Sequence, residues 1–341
     1  MSLPKESCSC ATTDCCTTFW VCGNAIRTRT CETKQEGAAD GREVLHPIGM
    51  SDRAWIAPLL KAEDSLASMG CFGTMYLWGV AFAQQVARVG SRIVGCYQDD
   101  EDNISFSFPF GKGPLTPAIQ QMRRQAESYG CALTINGMTE RQVQQLTAEY
   151  PTQFVITESR DNADYVYEVE KLANLKGKKL QNKRNHCNRF EKEHMDWRFE
   201  PMERRHFDDC RALLNEWEAN HENGDEMQEA ERLVIEQSFA NFETLGLEGG
   251  VLYADGKLVA FTLGEMIGQH GFDTRLEKAE ASVNGAYQMI NREFARMLME
   301  RHPDLKYVNR EEDMGHENLR KAKLSYHPDI LLMKYSARWI G

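Results

Sequence analysis

From Leu45 onward the apolar positions fall into helical and strand periods that alternate along the chain. In SDRAWIAPLLKAEDS, residues Trp55, Ile56, Leu59 and Leu60 recur at the spacing of one helix face, with Ser51 or Asp52 placed to open the helix. SRIVGCYQ and NISFSFPFG read as strands joined by the acidic turn at 99–103. LTPAIQQMRRQAESYG reads as a helix with Pro117 in its first turn and Gly130 past its end. ALTINGM is a strand, TERQVQQLTAEYP a capped helix and TQFVITES another strand.

The second half follows a similar order. Two helical patterns, ERRHFDDCRALLNEWEANH and MQEAERLVIEQSFANFETLG, precede a hairpin over 249–267 that turns on Asp255-Gly256-Lys257. HGFDTRLEKA continues as a strand, 285–303 as a long helix and KYVNRE as a strand. HENLRKAKLSY is then a helix and LLMKYSARW the closing strand. The expected class is therefore α+β (α/β): two hairpin–helix–strand–helix–strand units forming an internal structural repeat with little shared sequence. The units are expected over 45–170 and 196–341, joined by 171–195.

Composition changes this picture at two places. Six of the 11 cysteines lie within the first 31 residues, as CSCATTDCC and its neighbours. That run lacks the paired spacing or histidines of a structural zinc site, and it has no apolar period, so 1–44 is expected to be a disordered extension without a metal. The other cysteines are expected to be reduced core or surface thiols. The net charge of −11 disfavours general attraction to nucleic acid or anionic membrane. Yet 171–192 holds eight Lys or Arg against Glu191 alone, interleaved with Asn182, Asn185 and Asn188. A basic stripe on an acidic chain steers a polyanion to one place, although a solvated helix face gives the same composition. The longest apolar run, MYLWGVAFA, is far below the roughly 20 residues of a spanning helix. A cytoplasmic, soluble protein with at most peripheral membrane contact is expected.

Chemistry concentrates in NREEDMGHENLRKAKLSYHP, 309–328. Glu311 or Asp313 at a strand end is placed to act as a general base. The amides that open the following helix favour an anion. Arg320 and Lys323, three apart, share a helix face and could hold a phosphate or an oxyanion. Tyr326 could return the proton to a leaving group. Glu277 and Lys278 end a strand just before the small-residue helix entry Asn284-Gly285-Ala286. For each residue alone, a surface ion pair or a complement to the helix dipole explains the pattern as well.

LANLKGKKLQNKRNHCNRF, EKAEASVNGAYQMINREFA and VNREEDMGHENLRKAKLSYHP together resemble the family named for the C-terminal domain of phosphatidylglycerol lysyltransferase, in particular its short soluble members. The resemblance spans roughly Leu45 to Trp339. It implies a tandem pair of acyl-CoA N-acyltransferase (GNAT-like) domains, each a mixed sheet flanked by helices, and a fold and donor similar to those of Fem-type aminoacyltransferases. It further implies transfer of an amino acid from aminoacyl-tRNA to an amine or hydroxyl, on a small-molecule, peptide or lipid acceptor, without a tightly bound cofactor. Lys183, Arg184 and Asn185 would then meet donor phosphates. Arg310, Glu311, Asp313, Arg320, Lys323 and Tyr326 would line the transfer site of the second domain. The membrane portion of the lipid-modifying synthases has no counterpart in the sequence. The pyrophosphate turn [QR]-x-x-G-x-[GA] keeps only Gly285-Ala286, which weakens CoA as donor. Acetyl-CoA-dependent N-acetylation and a non-catalytic anion- or RNA-binding module are the alternatives.

Overall fold

The computed structural model describes residues 44–98, 104–219 and 226–341, with the backbone of two earlier strands, β1 (Cys16–Cys22) and β2 (Ala25–Cys31). These two pair antiparallel as a sheet of their own. The rest of the expected Cys-rich extension and the acidic turn at 99–103 lie outside the described residues.

The first half runs β3 (His46–Pro47), α1 (Arg53–Glu63), α2 (Phe72–Ala81), β4 (Gln85–Val89), β5 (Arg92–Gln98), β6 (Ile104–Ser107), β7 (Phe110–Gly111), α3 (Thr116–Ser128), β8 (Thr134–Met138), α4 (Glu140–Glu149) and β9 (Phe154–Glu168). Two helices of the connecting segment follow, α5 (Val169–Asn174) and α6 (Gln181–Glu193). The second half runs β10 (Arg198–Pro201), α7 (Phe207–Ala219), α8 (Glu226–Ala240), α9 (Phe242–Leu245), β11 (Glu248–Ala254), β12 (Lys257–Ile267), β13 (Gly271–Ala279), α10 (Ala286–Arg301), β14 (Tyr307–Asn309), α11 (Glu317–Leu324) and β15 (Ile330–Trp339).

Local chemistry sets several of these boundaries. Thr139 accepts the Gln142 amide while the Gln142 side chain reaches back to the Thr139 N–H, a reciprocal cap that fixes the start of α4. Asp255 (φ 53°) and Gly256 (φ 78°) supply the two left-handed residues that a tight β11–β12 hairpin needs. Helix α2 and strand β4 were not foreseen. The α2 segment is apolar on nearly every side, so it lacks the one-sided period that marks a surface helix.

Thirteen strands form one mixed sheet in the order β10-β11-β12-β13-β14-β9-β15-β8-β6-β5-β4-β3, with β7 beside β5. The halves exchange strands at its centre: β9 lies between β14 and β15, and β15 lies between β9 and β8. Two neighbouring pairs are parallel, β6 with β8 and β13 with β14.

Alternation along β11 shows how the sheet is covered. Val251 and Tyr253 join a core with α1, α2, α7 and α8, including Ile56, Met75, Leu214 and Val234. Leu252 and Ala254 face the other way, into a core with α5, α6 and α10 that includes Leu172, Phe190, Ile290 and Leu298. Helices α1 and α2 of the first half therefore pack on the second. A third core joins α3 and α4 to β5, β6 and β8 through Val94, Phe106, Ile119, Met122, Ile135 and Leu146. Cys71, Cys96, Cys187 and Cys210 are buried and Cys131 is half-buried, all as free thiols. Among the described residues no helix is long and apolar enough to cross a membrane.

Candidate active site

Strands β13 and β14 pair in parallel only from Gly271↔Tyr307 to Asp273↔Asn309. Beyond that register the two chains part, and most of the polar groups of interest border the opening. The β14 chain continues through a turn in which Glu311 (φ 55°), Met314 (φ 50°) and Gly315 (φ 78°) are left-handed. A glutamate held there stores strain unless its surroundings fix it. They do: Tyr165 N–H donates to the Glu311 carbonyl at 3.2 Å, and Glu311 N–H donates to Asn309 Oδ1 at 2.7 Å. Asn309 is itself pinned to the Leu66 carbonyl at 2.8 Å and to Asp164 at 3.0 Å.

Asp313 is the hub of this turn. Its carboxylate, with no exposed surface, accepts from Arg320 at 2.9 and 2.7 Å, from Tyr165 OH at 2.5 Å, from Gly315 N–H at 2.9 Å and from Arg160 at 3.3 Å. The β9–β15 register breaks between Leu332↔Asp164 and Lys334↔Ser159, so residues 160–163 bulge and carry Arg160 and Asp161 towards α11. Burial alone would raise the Asp313 pKa, but the bonds from Arg320, Tyr165 and Gly315 and the Arg320 charge outweigh it and hold the pKa well below the carboxylate range. Asp313 thus has neither a free lone pair nor the basicity for the expected role of base, and it positions the turn. Arg320 is committed to Asp313 and Asp161 and is no free phosphate holder. Lys323, expected at an oxyanion, donates instead to the carbonyls of Arg310 (2.6 Å) and Glu312. Desolvation lowers its pKa first, opposed by the charge of Glu311.

Glu311 differs from its neighbours. Among the described residues its carboxylate forms no side-chain hydrogen bond or ion pair. Burial, and then the charges of Asp273 and Glu312, push its pKa well above the usual value. A carboxyl so placed holds a proton more readily than a solvated one, the direction a general base needs.

On the α6 side of the opening, Arg310 bridges to Glu277 at 2.8 Å, and Glu277 also accepts from Asn291 at 3.3 Å. The Arg310 guanidinium lies 5.0 Å from the Tyr326 ring centroid and the Lys183 ammonium 4.2 Å from it. Tyr167 meets Tyr326 edge-on at 6.3 Å. Arg310 Nη1 and Asn291 Oδ1 are buried without a partner. Burial pushes the Tyr326 hydroxyl pKa up, so the expected acid serves first as an aromatic platform for two cations. The basic segment and the 309–326 cluster therefore do meet, through Lys183. Arg184 does not join them, because it caps α5 by donating to the Leu175 and Gly177 carbonyls. Asn185 is exposed on α6. Lys278 points to the other face of the sheet, paired with Glu231 at 2.8 Å and lying 3.7 Å from the Trp217 ring centroid.

The other side of the opening holds residues that the sequence reading passed over. The register slips between Leu263 and Gly264, leaving Arg275 without a cross-strand partner. Arg275 is fully buried and bonded to Thr74 (2.6 and 3.1 Å) and Glu265 (2.5 Å), with Nη1 unpartnered. Asp273, also fully buried, accepts from Thr74 at 3.2 Å and leaves Oδ1 unpartnered. Burial, opposed by the Arg275 charge, raises the Asp273 pKa to about 7. Asp164 accepts from Ser68 N–H at 2.9 Å and from Lys334 at 2.8 Å. The available signal was charge inside strands: GFDTRLEKA and TLGEMI carry Asp273, Arg275 and Glu265 amid apolar residues.

At α10 the helix opens on Gly285 (φ 90°), and a Cβ there would meet the His186 carbonyl of α6 at 2.7 Å. The turn that resembles a pyrophosphate cradle is thus covered by the basic helix. Among the described residues no group of His, Cys, Asp and Glu could hold a metal ion.

The family model of the phosphatidylglycerol lysyltransferase C-terminal region matches residues 60–338. An uncharacterized protein of Mycoplasmoides gallisepticum is 24% identical over 61% of this chain and 66% of its own length, so the chain spans just under two thirds of that curated relative. A conserved protein of unknown function from Bacteroides thetaiotaomicron is 35% identical, with a TM-score of 0.81 over 87% of this chain and all of that one. The L-PGS structure from Bacillus licheniformis is 14% identical (TM-score 0.61, 86% and 92% covered), and that of FemX is 9% identical (0.57, 87% and 97%). The fold is the mixed α+β, GNAT-like fold expected from the sequence.

Proposed function

The chain belongs to the family of phosphatidylglycerol lysyltransferase C-terminal domains, and from that premise we propose that it is an acyltransferase that moves an amino acid from aminoacyl-tRNA to an amine or hydroxyl. The observation that carries this reading is Glu311: a strained, unpaired carboxyl of raised pKa at the mouth of the β13–β14 opening. In the reaction the acceptor N–H or O–H gives its proton to Glu311 as its heteroatom bonds to the ester carbonyl carbon. The bond from that carbon to the ribose oxygen then breaks, and the ribose oxygen leaves as a hydroxyl with the proton that Glu311 took up. The exposed Lys176, Lys178, Lys179, Arg189 and Lys192 offer the phosphates a sequence-independent footing that ends at Lys183, next to the opening. The α6 cover over Gly285 argues against a CoA pyrophosphate at that turn.

The test is incubation of purified protein with tRNA charged with labelled amino acids and a lysate freed of other transferases. Label is expected to move from RNA to a product that is not RNA, alkali-stable for an amine acceptor and alkali-labile for a hydroxyl, with wild type and not with Glu311→Gln. Micromolar binding of CoA in isothermal titration, with no movement of label, would replace this reading by acetyl transfer.

A further inference from the structure

Strands β6 and β8 repeat in the first half the arrangement of β13 and β14. They pair in parallel only at Phe106↔Ile135 and Ser107↔Asn136 and then part, as β13 and β14 part after Asp273↔Asn309. The groups beside the two openings differ. Val94, Phe106 and Ile135 face the core of α3 and α4, so Gly95, Ser105, Ser107 and Asn136 face the opposite side of the sheet. There the Asn136 amide donates to Tyr97 OH at 2.9 Å, and because β6 lies between β5 and β8 this bridge passes over β6. Beside it are Gln84, Ser105 and Ser107, only 6%, 4% and 8% exposed, whose side chains form no hydrogen bond among the described residues. A Cβ at Gly95 would fall 2.6 Å from Ser107 Oγ and 2.8 Å from Gln84 Nε2. The hydroxyl and the amide thus flank the room that a side chain would take, without bonding to one another. Buried polar groups are ordinarily satisfied, and three unsatisfied ones in one neighbourhood mark a place where a polar partner is to be supplied.

The surroundings disfavour an anion as that partner. The donors that could cradle a phosphate ahead of α3 are already used inside the protein. Gly111 N–H donates to Glu63 at 2.8 Å, and Leu115 N–H and Thr116 Oγ1 donate to Glu149 at 3.4 and 3.1 Å. The buried Arg92 spends its guanidinium on the carbonyls of Pro109, Gly113 and Pro114. The three unsatisfied groups carry no charge. Hydroxyls and carboxamides both donate and accept, and so does the oxygen of an alcohol. We propose that Gln84, Ser105 and Ser107, under the Tyr97–Asn136 bridge, form a second binding site for an uncharged polyhydroxyl ligand, a sugar or a polyol. One of its hydroxyls enters between Gln84 Nε2 and Ser107 Oγ. This site goes beyond the transfer reading and does not depend on it.

The probes are glucose, myo-inositol and glycerol, with glucose 6-phosphate as the charged counterpart, titrated by saturation-transfer NMR into wild type, Ser107→Ala and Glu311→Gln. Ser107→Ala removes a hydroxyl that bonds nothing in the fold, so by circular dichroism it should melt at or above the wild-type temperature. At least one neutral probe is expected to bind wild type and Glu311→Gln alike, and about fivefold more weakly to Ser107→Ala. Glucose 6-phosphate is expected to bind wild type about tenfold more weakly than the best neutral probe. No binding of any neutral probe, equal binding of the phosphate, or binding that Ser107→Ala leaves unchanged overturns the inference. A loss of stability in Ser107→Ala does so too, because it would mean that the hydroxyl is bonded in the fold. Weakening by Glu311→Gln instead would put the ligand at the transfer site and count equally against it. So would a crystal soaked in the best binder that shows only ordered water between Gln84 and Ser107.

Discussion

Replacing Asp313 by alanine separates the part of the site that holds the turn from the part that reacts. The substitution removes five accepted hydrogen bonds from a carboxylate with no exposed surface. Breaking a buried ion pair by removing one partner generally costs about 3–5 kcal/mol. Here the orphaned arginines are not sealed in: the side chains of Arg160 and Arg320 are 32% and 28% exposed and can take up water. Tyr165 also keeps its contact with Arg160 at 2.8 Å. The expected loss therefore sits at the low end, about 3 kcal/mol, a large share of a stability of about 5–15 kcal/mol. Urea unfolding of both proteins at pH 7 measures it. Because the folded pKa of Asp313 is depressed, its contribution is complete above the ordinary carboxylate pKa of about 4 and is lost as pH falls towards the folded value. The gap between wild type and variant should thus hold from neutral pH down to about 4 and narrow in stronger acid. A loss below about 1 kcal/mol, the scale of an exposed pair, or a gap that widens with acid, would refute the account of Asp313 as a buried anchor.

Glu311→Gln should lower transfer by about 10²–10⁴-fold, the usual contribution of a positioned base, without unfolding the protein. Its stability relative to wild type should rise from about pH 4 upward, since the raised pKa means that wild type loses stability as the half-buried carboxyl ionises; no such rise would count against a partly desolvated Glu311. Lys183→Ala should weaken binding of charged tRNA and reduce the steepness of its salt dependence by roughly one counterion, read by filter binding across a salt series. Gly285→Ala should cost about 1–3 kcal/mol in a thermal or urea melt, because φ is 90° and the His186 carbonyl occupies the Cβ position. Lys278→Met should lower stability by about 1 kcal/mol through loss of Glu231 and Trp217 and leave transfer unchanged; a transfer defect in a stable variant would return Lys278 to the site.

Much of the fold is written in local pattern. The reciprocal Thr139–Gln142 cap, the Asp255-Gly256 hairpin and the periodic apolar faces of α1, α3 and α10 depend on residues a few positions apart, and such couplings can be read along a chain. The concentration of charge at 309–328 and at 171–192 was equally visible, as was the likeness to a transferase family that these segments and 277–295 carry. Roles within those segments were not. Glu311 and Asp313 are two residues apart and of the same chemistry. What separates them is that Arg160, brought by a bulge in β9, and Tyr165 from the same strand join Arg320 around one carboxylate and leave the other bare. Lys278 and Glu277 are adjacent, but consecutive strand residues face opposite sides of the sheet, and only the packing of α7 and α8 on one side and α10 on the other says which side matters. The pairing of Thr74 with Asp273 and Arg275 spans about two hundred residues and follows from α2 crossing onto the second half. Sequence alone fixes which charges are available and which short segments form. Burial, which decides whether a charge is satisfied, neutralised or reactive, is a property of neighbours that only the folded sheet assembles.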